Sequence, residues 1–296
     1  MSGGQPALQE DFMSTNNPLR QYFRRPAVHL KLPSGGKYYD ASVLDMPETG
    51  ELPVYPMTAI DEITSKTPDA LFNGSAMYEI IRSCVPSIKD PWKVNNIDFD
   101  AILIAIRASS NGSNLDIESI CPKCNEVSTY GFDLMNFLTQ MKPGDYDKEM
   151  PLHDLKIKFK PLTYREMNQA GVAQFAIQRE FAQLQASNKD QEQLSEEERQ
   201  AQIKKGQDAL KAVTMLTIDI LVGTIEYIQT PTVRVDEKEH IREFLQNCDK
   251  TVYEALRDHN AALKTQTDIK PLNLKCIHCG NEYEQPFTLN TSDFFG

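Results

Sequence analysis

Apolar and polar positions change period several times along this chain, and each change marks an element. Residues 28–32 alternate between the two classes, which predicts a short strand, and Ser34-Gly35-Gly36 supplies the turn after it. Residues 37–44 (KYYDASVL) and 51–57 (ELPVYPM) predict further strands of the same small sheet. Thr58 with Asp61 is placed to cap one helix and Pro68 to open another, while residues 78–84 read as helix up to Pro86. Ile97, Phe99, Ile102, Leu103 and Ile106 predict the next helix, which ends by residues 109–112. Residues 154–162 alternate again. Thr163 with Glu166 then forms a capping box for a long helix whose Ala170, Ala173, Ile177, Phe181 and Leu184 fall on one face. A polar run over residues 185–193 predicts the flexible tip of an αα-hairpin. A second capping box, Ser195 with Glu198, starts the return helix, expected to continue to about Ile228. Residues 238–263 predict two shorter amphipathic helices, and short strands close the chain.

The fold class expected from this order is α+β: a small N-terminal sheet with helices, a long αα-hairpin insertion, and a last segment of helices and strands. The corresponding boundaries are a polar, disordered 1–16, an extended arm 17–33, an α+β region 34–162, the hairpin 163–228 and a C-terminal segment 229–296. A chain of 296 residues with 40% hydrophobic and 25% charged content has the material for a sizeable core and an ordinary soluble surface. No signal-peptide pattern opens it. Its most apolar stretch, residues 213–228, carries Asp219 and Glu226 and reads as a buried helix, so no membrane span is expected and the protein should be soluble and intracellular when made. The net charge of −11 argues against general nucleic-acid binding, which draws on a basic face.

The cysteines change the picture. Four of the six form two Cys-x-x-Cys pairs, Cys121 with Cys124 and Cys276 with Cys279. Each second cysteine is followed eight residues later by phenylalanine (Phe132, Phe287) and two further on by leucine (Leu134, Leu289), a small internal repeat. The spacing lets one tight turn aim two sulfurs at one ion, and two such turns make a closed four-thiolate zinc site of structural type with no position for a substrate water. The result would be a zinc ribbon split by 151 residues between Cys124 and Cys276. Two independent surface pairs, or a redox pair, are the alternatives; the redox reading wants a helix directly after the pair, and neither pair precedes a helical pattern. His278 reads as exposed, not as a ligand. Cys84 and Cys248 lie among apolar residues and read as packing residues.

No phosphate-binding loop, dinucleotide fingerprint, nucleophile elbow or His-Glu-x-x-His motif is present, and the five histidines are scattered, so the expectation is a protein without catalytic activity. In the arm, Arg20, Tyr22, Phe23, Arg24 and Arg25 concentrate aromatic and positive side chains on an acidic protein. They are candidate partner-binding residues; the alternative is that the two aromatics fold back as a lid on the small sheet.

Several strings, among them residues 17–39 (NPLRQYFRRPAVHLKLPSGGKYY), MTAIDEI, TPDAL-NG, SCVP-IKDPW and DFDAILIAIR, followed by CPKC, make residues 17–134 similar to baseplate hub and hub-assembly proteins of contractile-tailed bacteriophages of the T-even type. The cysteine-bearing C-terminus resembles them moderately, and the hairpin is not distinctive. The resemblance implies a zinc-bound structural component or assembly factor of the virion tail baseplate, made in the host cytoplasm. It would work by contacts with other tail or hub proteins, copies of itself in a symmetric ring included. The competing reading is a zinc-ribbon nucleic-acid adaptor in phage transcription or replication, which a basic stripe across the ribbon would favour. Glu126, Asp133, Glu282 and Glu284 occupy that stretch instead.

Overall fold

The computed structural model describes residues 17–67, 73–187 and 196–287. The 1–16 segment, the helix start at Pro68, residues 188–193 of the expected hairpin tip, the Ser195–Glu198 capping box and Leu289 therefore lie outside the described residues, while residues 185–187 of that tip continue the helix. Within them the fold is α+β. After a 3-10 turn at Pro18–Tyr22, strand β1 (Val28–Leu30) pairs antiparallel with β2 (Leu52–Val54). Helices α1 (Ala59–Ser65), α2 (Ser75–Cys84) and α3 (Asn96–Asn111) follow. A hairpin, β3 (Asn114–Ile120) with β4 (Val127–Asp133), leads to the short α4 (Leu134–Gln140). Next come β5 (Glu149–Leu152), β6 (Leu155–Phe159), α5 (Tyr164–Ser187), α6 (Glu196–Thr224), β7 (Ile225–Gln229) and β8 (Arg234–Val235). The chain continues through α7 (Lys238–Asn247), α8 (Lys250–Thr267) and the ribbon β9 (Leu272–Lys275) with β10 (Glu282–Gln285). Strands β5-β6-β7-β8 form one antiparallel sheet; the other three sheets are two-stranded.

Two apolar cores meet on α3. Its Ile102, Leu103, Ile104 and Ile106 pack with β1, β2, α2 and α4, while Ile97 at its start joins Ile157, Phe159, Ile225, Ile241 and Leu256 of the second core. A buried carboxylate fixes the first turn of α3. Asp98 accepts hydrogen bonds from the Ser34 N–H (2.9 Å), the Ser34 hydroxyl, the Tyr39 hydroxyl (2.7 Å) and the Asn95 amide (3.0 Å). Four donors satisfy its lone pairs, which is what makes a charged group tolerable there.

That same network corrects one expected strand. Residues 37–44 are turns, and only Leu44 makes an isolated bridge, to Ile88. Tyr39 is held by Asp98 and by the Asn95 N–H (3.1 Å), and Gly35 and Gly36 take positive φ, so the segment wraps the α3 terminus and joins no ladder. The return helix of the hairpin is also shorter than its apolar run suggested. It stops at Thr224, and Ile225–Gln229 becomes a central strand because β6 and β8 offer ladder partners on both sides. Tertiary pairing overrides the local period here.

The capping boxes hold where they are visible. Thr58 accepts from the Asp61 N–H (3.2 Å) and Asp61 from the Thr58 N–H (2.8 Å). Thr163 and Glu166 do the same at α5, with Lys160 3.0 Å from the Glu166 carboxylate. Helices α5 and α6 pack side by side as an αα-hairpin. No helix among the described residues is long and apolar enough to cross a membrane.

Candidate metal centre

Each cysteine pair sits on the turn of a two-stranded hairpin, and the two turns are built alike. In the first, the Cys121 N–H donates to the Glu126 carbonyl (3.0 Å) and the Asn125 N–H to the Cys121 carbonyl (2.9 Å). In the second, the Cys276 N–H donates to Asn281 O (2.8 Å) and the Gly280 N–H to Cys276 O (2.9 Å). The residue after each second cysteine is left-handed, Asn125 at φ 58° and Gly280 at φ 69°. Asparagine and glycine are the residues that accept this conformation most readily, and it turns the chain back into the second strand. The strand registers match too, Ile120 opposite Val127 and Lys275 opposite Glu282.

The two turns converge. Cys121 Sγ lies 3.7 Å from Cys279 Sγ and Cys124 Sγ 3.6 Å from Cys276 Sγ, and all four sulfurs fall within 4.8 Å of one another. Sulfurs about 2.3 Å from a central ion in a tetrahedron are separated by about 3.8 Å. The four thiols are thus close enough to share one coordination shell, and short sulfur–sulfur contacts tie each turn to the other. They can hold a metal ion together. Cys121 and Cys276 are buried, Cys124 is half-buried and Cys279 exposed.

The electrostatics suit a cation. Burial works against a thiolate at Cys121, yet the backbone N–H groups of Cys124 and Lys123 and the neighbouring thiols outweigh it and bring this group down to about 6. At Cys124 the Glu126 backbone favours the thiolate, but burial and hydrogen bonds shared with Cys279, Cys276 and Cys121 push it up to about 12. One sulfur gives up its proton early and another resists, since a second thiolate beside the first is disfavoured.

Contacts around the site lock one hairpin on the other. The Tyr283 hydroxyl donates to Ser119 Oγ (3.0 Å), Ser119 Oγ to Gln285 Oε1 (2.9 Å), and the Tyr130 hydroxyl to the Lys275 carbonyl (3.1 Å). The two repeat phenylalanines meet through a third ring. Phe137 of α4 stacks on Phe287 at 4.9 Å and lies 6.1 Å from Phe132. Sequence reading missed β3 as the first strand of the site, although Leu115, Ile117 and Ser119 alternate inward. The bridging roles of Tyr130, Tyr283 and Phe137 carry no motif and had no signal beyond residue type. Cys84 is fully buried beside Arg24, and burial pushes its thiol up to about 12, as a packing residue requires.

In the arm, Arg20, Tyr22, Phe23 and Arg25 are exposed, whereas Arg24 turns inward. Its guanidinium donates to Pro56 O (2.5 Å), Ser83 O (2.7 Å) and Ser83 Oγ (2.8 Å), lies 3.4 Å from the Asp61 carboxylate, and sits 5.8 Å from the centre of the Tyr55 ring. Arg24 is thus engaged within the chain and ties the arm to α1 and α2.

A family model described as T4 bacteriophage base plate protein matches residues 26–296. No curated protein and no solved structure matches the chain. The match covers most of the sequence, and the chain belongs to this family of T4-type phage baseplate proteins.

Proposed function

We propose that this baseplate protein is a non-enzymatic structural component or assembly factor of the tail hub, acting through protein–protein contacts and stapled by one structural zinc. The observation that supports the reading is the convergence of two matched Cys-x-x-Cys turns on one cluster of four sulfurs, with contacts between residues 152 and 158 positions apart. A site with four protein ligands leaves no open position for substrate, so its role is to hold the fold. Zinc suits a four-thiolate tetrahedron, since the ion is soft enough for sulfur and imposes no other geometry. The same closure favours contacts over catalysis.

The nucleic-acid reading finds no support at the ribbon. Among its exposed positions Asp116, Glu118, Glu126, Glu282 and Glu284 outnumber Lys123 and Lys275, and among the described residues only Glu282 of these acids is offset by an ion pair, with Lys275 at 3.5 Å. A phosphate backbone would meet like charge there.

Quantifying the protein by mass spectrometry in purified tails and in isolated hub intermediates tests the reading, with a parallel Cys276→Ser phage. Presence in either fraction, lost or sharply reduced in the variant, supports it. Absence from both, or co-purification with polymerase or DNA instead, overturns it.

A further inference from the structure

The arm is held as a presenting element. Arg24 anchors its base, and the Asn17 side chain caps the 3-10 turn by accepting from the Leu19 N–H (2.9 Å). Between these two fixed points Tyr22 is 76% exposed and Phe23 57% exposed, and Leu19 beside them is also bare. Arg20 and Arg25 flank them and make no ion pair with any described residue. Adjacent apolar rings kept in water on an anchored base, with guanidinium groups on either side, have the composition of an interface anchor. A base already anchored in the fold lowers the ordering cost of binding.

The ribbon end carries the complement. Along β3 the two-residue period puts Asp116, Glu118 and Ile120 on one outward face, and Ile120 stands opposite Val127. Ile120 is 64% exposed, and Ile277, on the second cysteine turn, is 72% exposed. Asp116 and Glu118 make no ion pair with any described residue. The β3 face thus runs from two bare carboxylates to an exposed isoleucine at the metal end, while the arm runs from bare arginines to exposed aromatic and aliphatic side chains.

We propose that the arm of one copy docks on this ribbon face of a second copy, Arg20 and Arg25 meeting Asp116 and Glu118 while Tyr22 and Phe23 cover Ile120. Charge complementarity selects the occupant. Two copies carrying −11 each repel over most of their surfaces, and here the cationic side chains of one meet carboxylates of the other. The contact joins two different patches, so it is heterologous, and repeated with a closing rotation it makes a ring. It goes beyond the hub role and stands or falls on the purified chain alone.

Sedimentation velocity of the purified, metal-loaded full chain tests this across concentration and salt. Wild type is expected to self-associate, more strongly at low salt. Arg20→Glu with Arg25→Glu should weaken association at least tenfold, as should Asp116→Lys with Glu118→Lys, and combining all four reversals should regain most of it. Phe23→Ser should weaken it at both salt levels. All these side chains are exposed, and circular dichroism and metal content, read in parallel, confirm that each variant folds. A wild type that stays monomeric at every concentration overturns the proposal. So does self-association that ignores either reversal, or folded reversals that fail to restore each other.

Discussion

The sharpest consequence of a shared metal site is non-additivity between the two cysteine turns. A cross-link between Cys124 and Cys276 closes a loop of 151 residues. Treated as a covalent tie, it removes chain entropy from the unfolded state worth about 5 kcal/mol at room temperature. Metal binding to such thiolates contributes about 10 kcal/mol or more at neutral pH, ample to sustain the tie. Loss of the clamp should therefore lower stability by at least about 5 kcal/mol whichever turn is broken. Cys121→Ser and Cys276→Ser should each show that loss, and the double variant should be scarcely worse than either, because the clamp can be lost only once. Urea unfolding followed by two signals reads this out. Trp92, the sole tryptophan, stacks between Tyr78 (5.6 Å) and Tyr164 (5.0 Å) and reports the first core; far-ultraviolet circular dichroism is dominated by the helices. The α5 capping box and the α5–α6 seam support the hairpin locally, so the helical signal should survive metal chelation better than the cysteine ribbons do. Losses that add to about twice the single value, or a Cys276→Ser protein that keeps a full complement of metal, would refute the shared site.

Two further outcomes follow from groups far from the metal. Burial, and then the nearby Asp268 charge, raise the Asp100 carboxyl to about 6, so the folded state holds this proton more tightly than the unfolded chain does. Its favourable contribution is complete below about pH 4 and is lost as pH rises through 6. Asp100→Asn should therefore match wild type in denaturant midpoint at pH 4 and exceed it by up to about 3 kcal/mol at pH 8; a difference that ignores pH would sink this. Arg24→Met leaves the nearly buried Asp61 without its cationic neighbour and should cost about 2–4 kcal/mol. Removal of residues 1–23 should leave the melting temperature nearly unchanged, and removal of 1–26 should not; equal melting of the two truncations would show that the arm's anchor does not lie at Arg24.

The parts of this molecule that were legible in its sequence are those whose geometry is set within a few residues. Thr58 with Asp61 and Thr163 with Glu166 close their reciprocal hydrogen bonds three residues apart, and no distant partner can change that reading. The cysteine turns are equally local, each completed within six residues by a backbone bond from the first cysteine. Their pairing with one another was readable because the repeat recurs: two half-sites of identical spacing each lack what the other supplies.

What could not be read is set by partners remote in the chain. The run ending at Ile228 has the apolar content of a buried helix, and nothing within it reveals that Ile228 will lie opposite both Ile157 and Val235. The Tyr39 segment alternates like a strand, yet its fate is decided by Asp98, 59 residues on, whose carboxylate collects hydroxyl and amide donors. Arg24 sits in the sequence beside Arg20 and Arg25 with nothing to tell them apart. The difference appears only when Pro56 and Ser83 bring carbonyls together at one point and Asp61 supplies the opposite charge. A guanidinium has five donors on a rigid plane, so the arginine that meets such a cluster is withdrawn from the surface, and its neighbours remain available to a partner. Composition alone therefore marks the arm as a candidate, and only the fold shows that Arg24 is the residue that fixes it to the body.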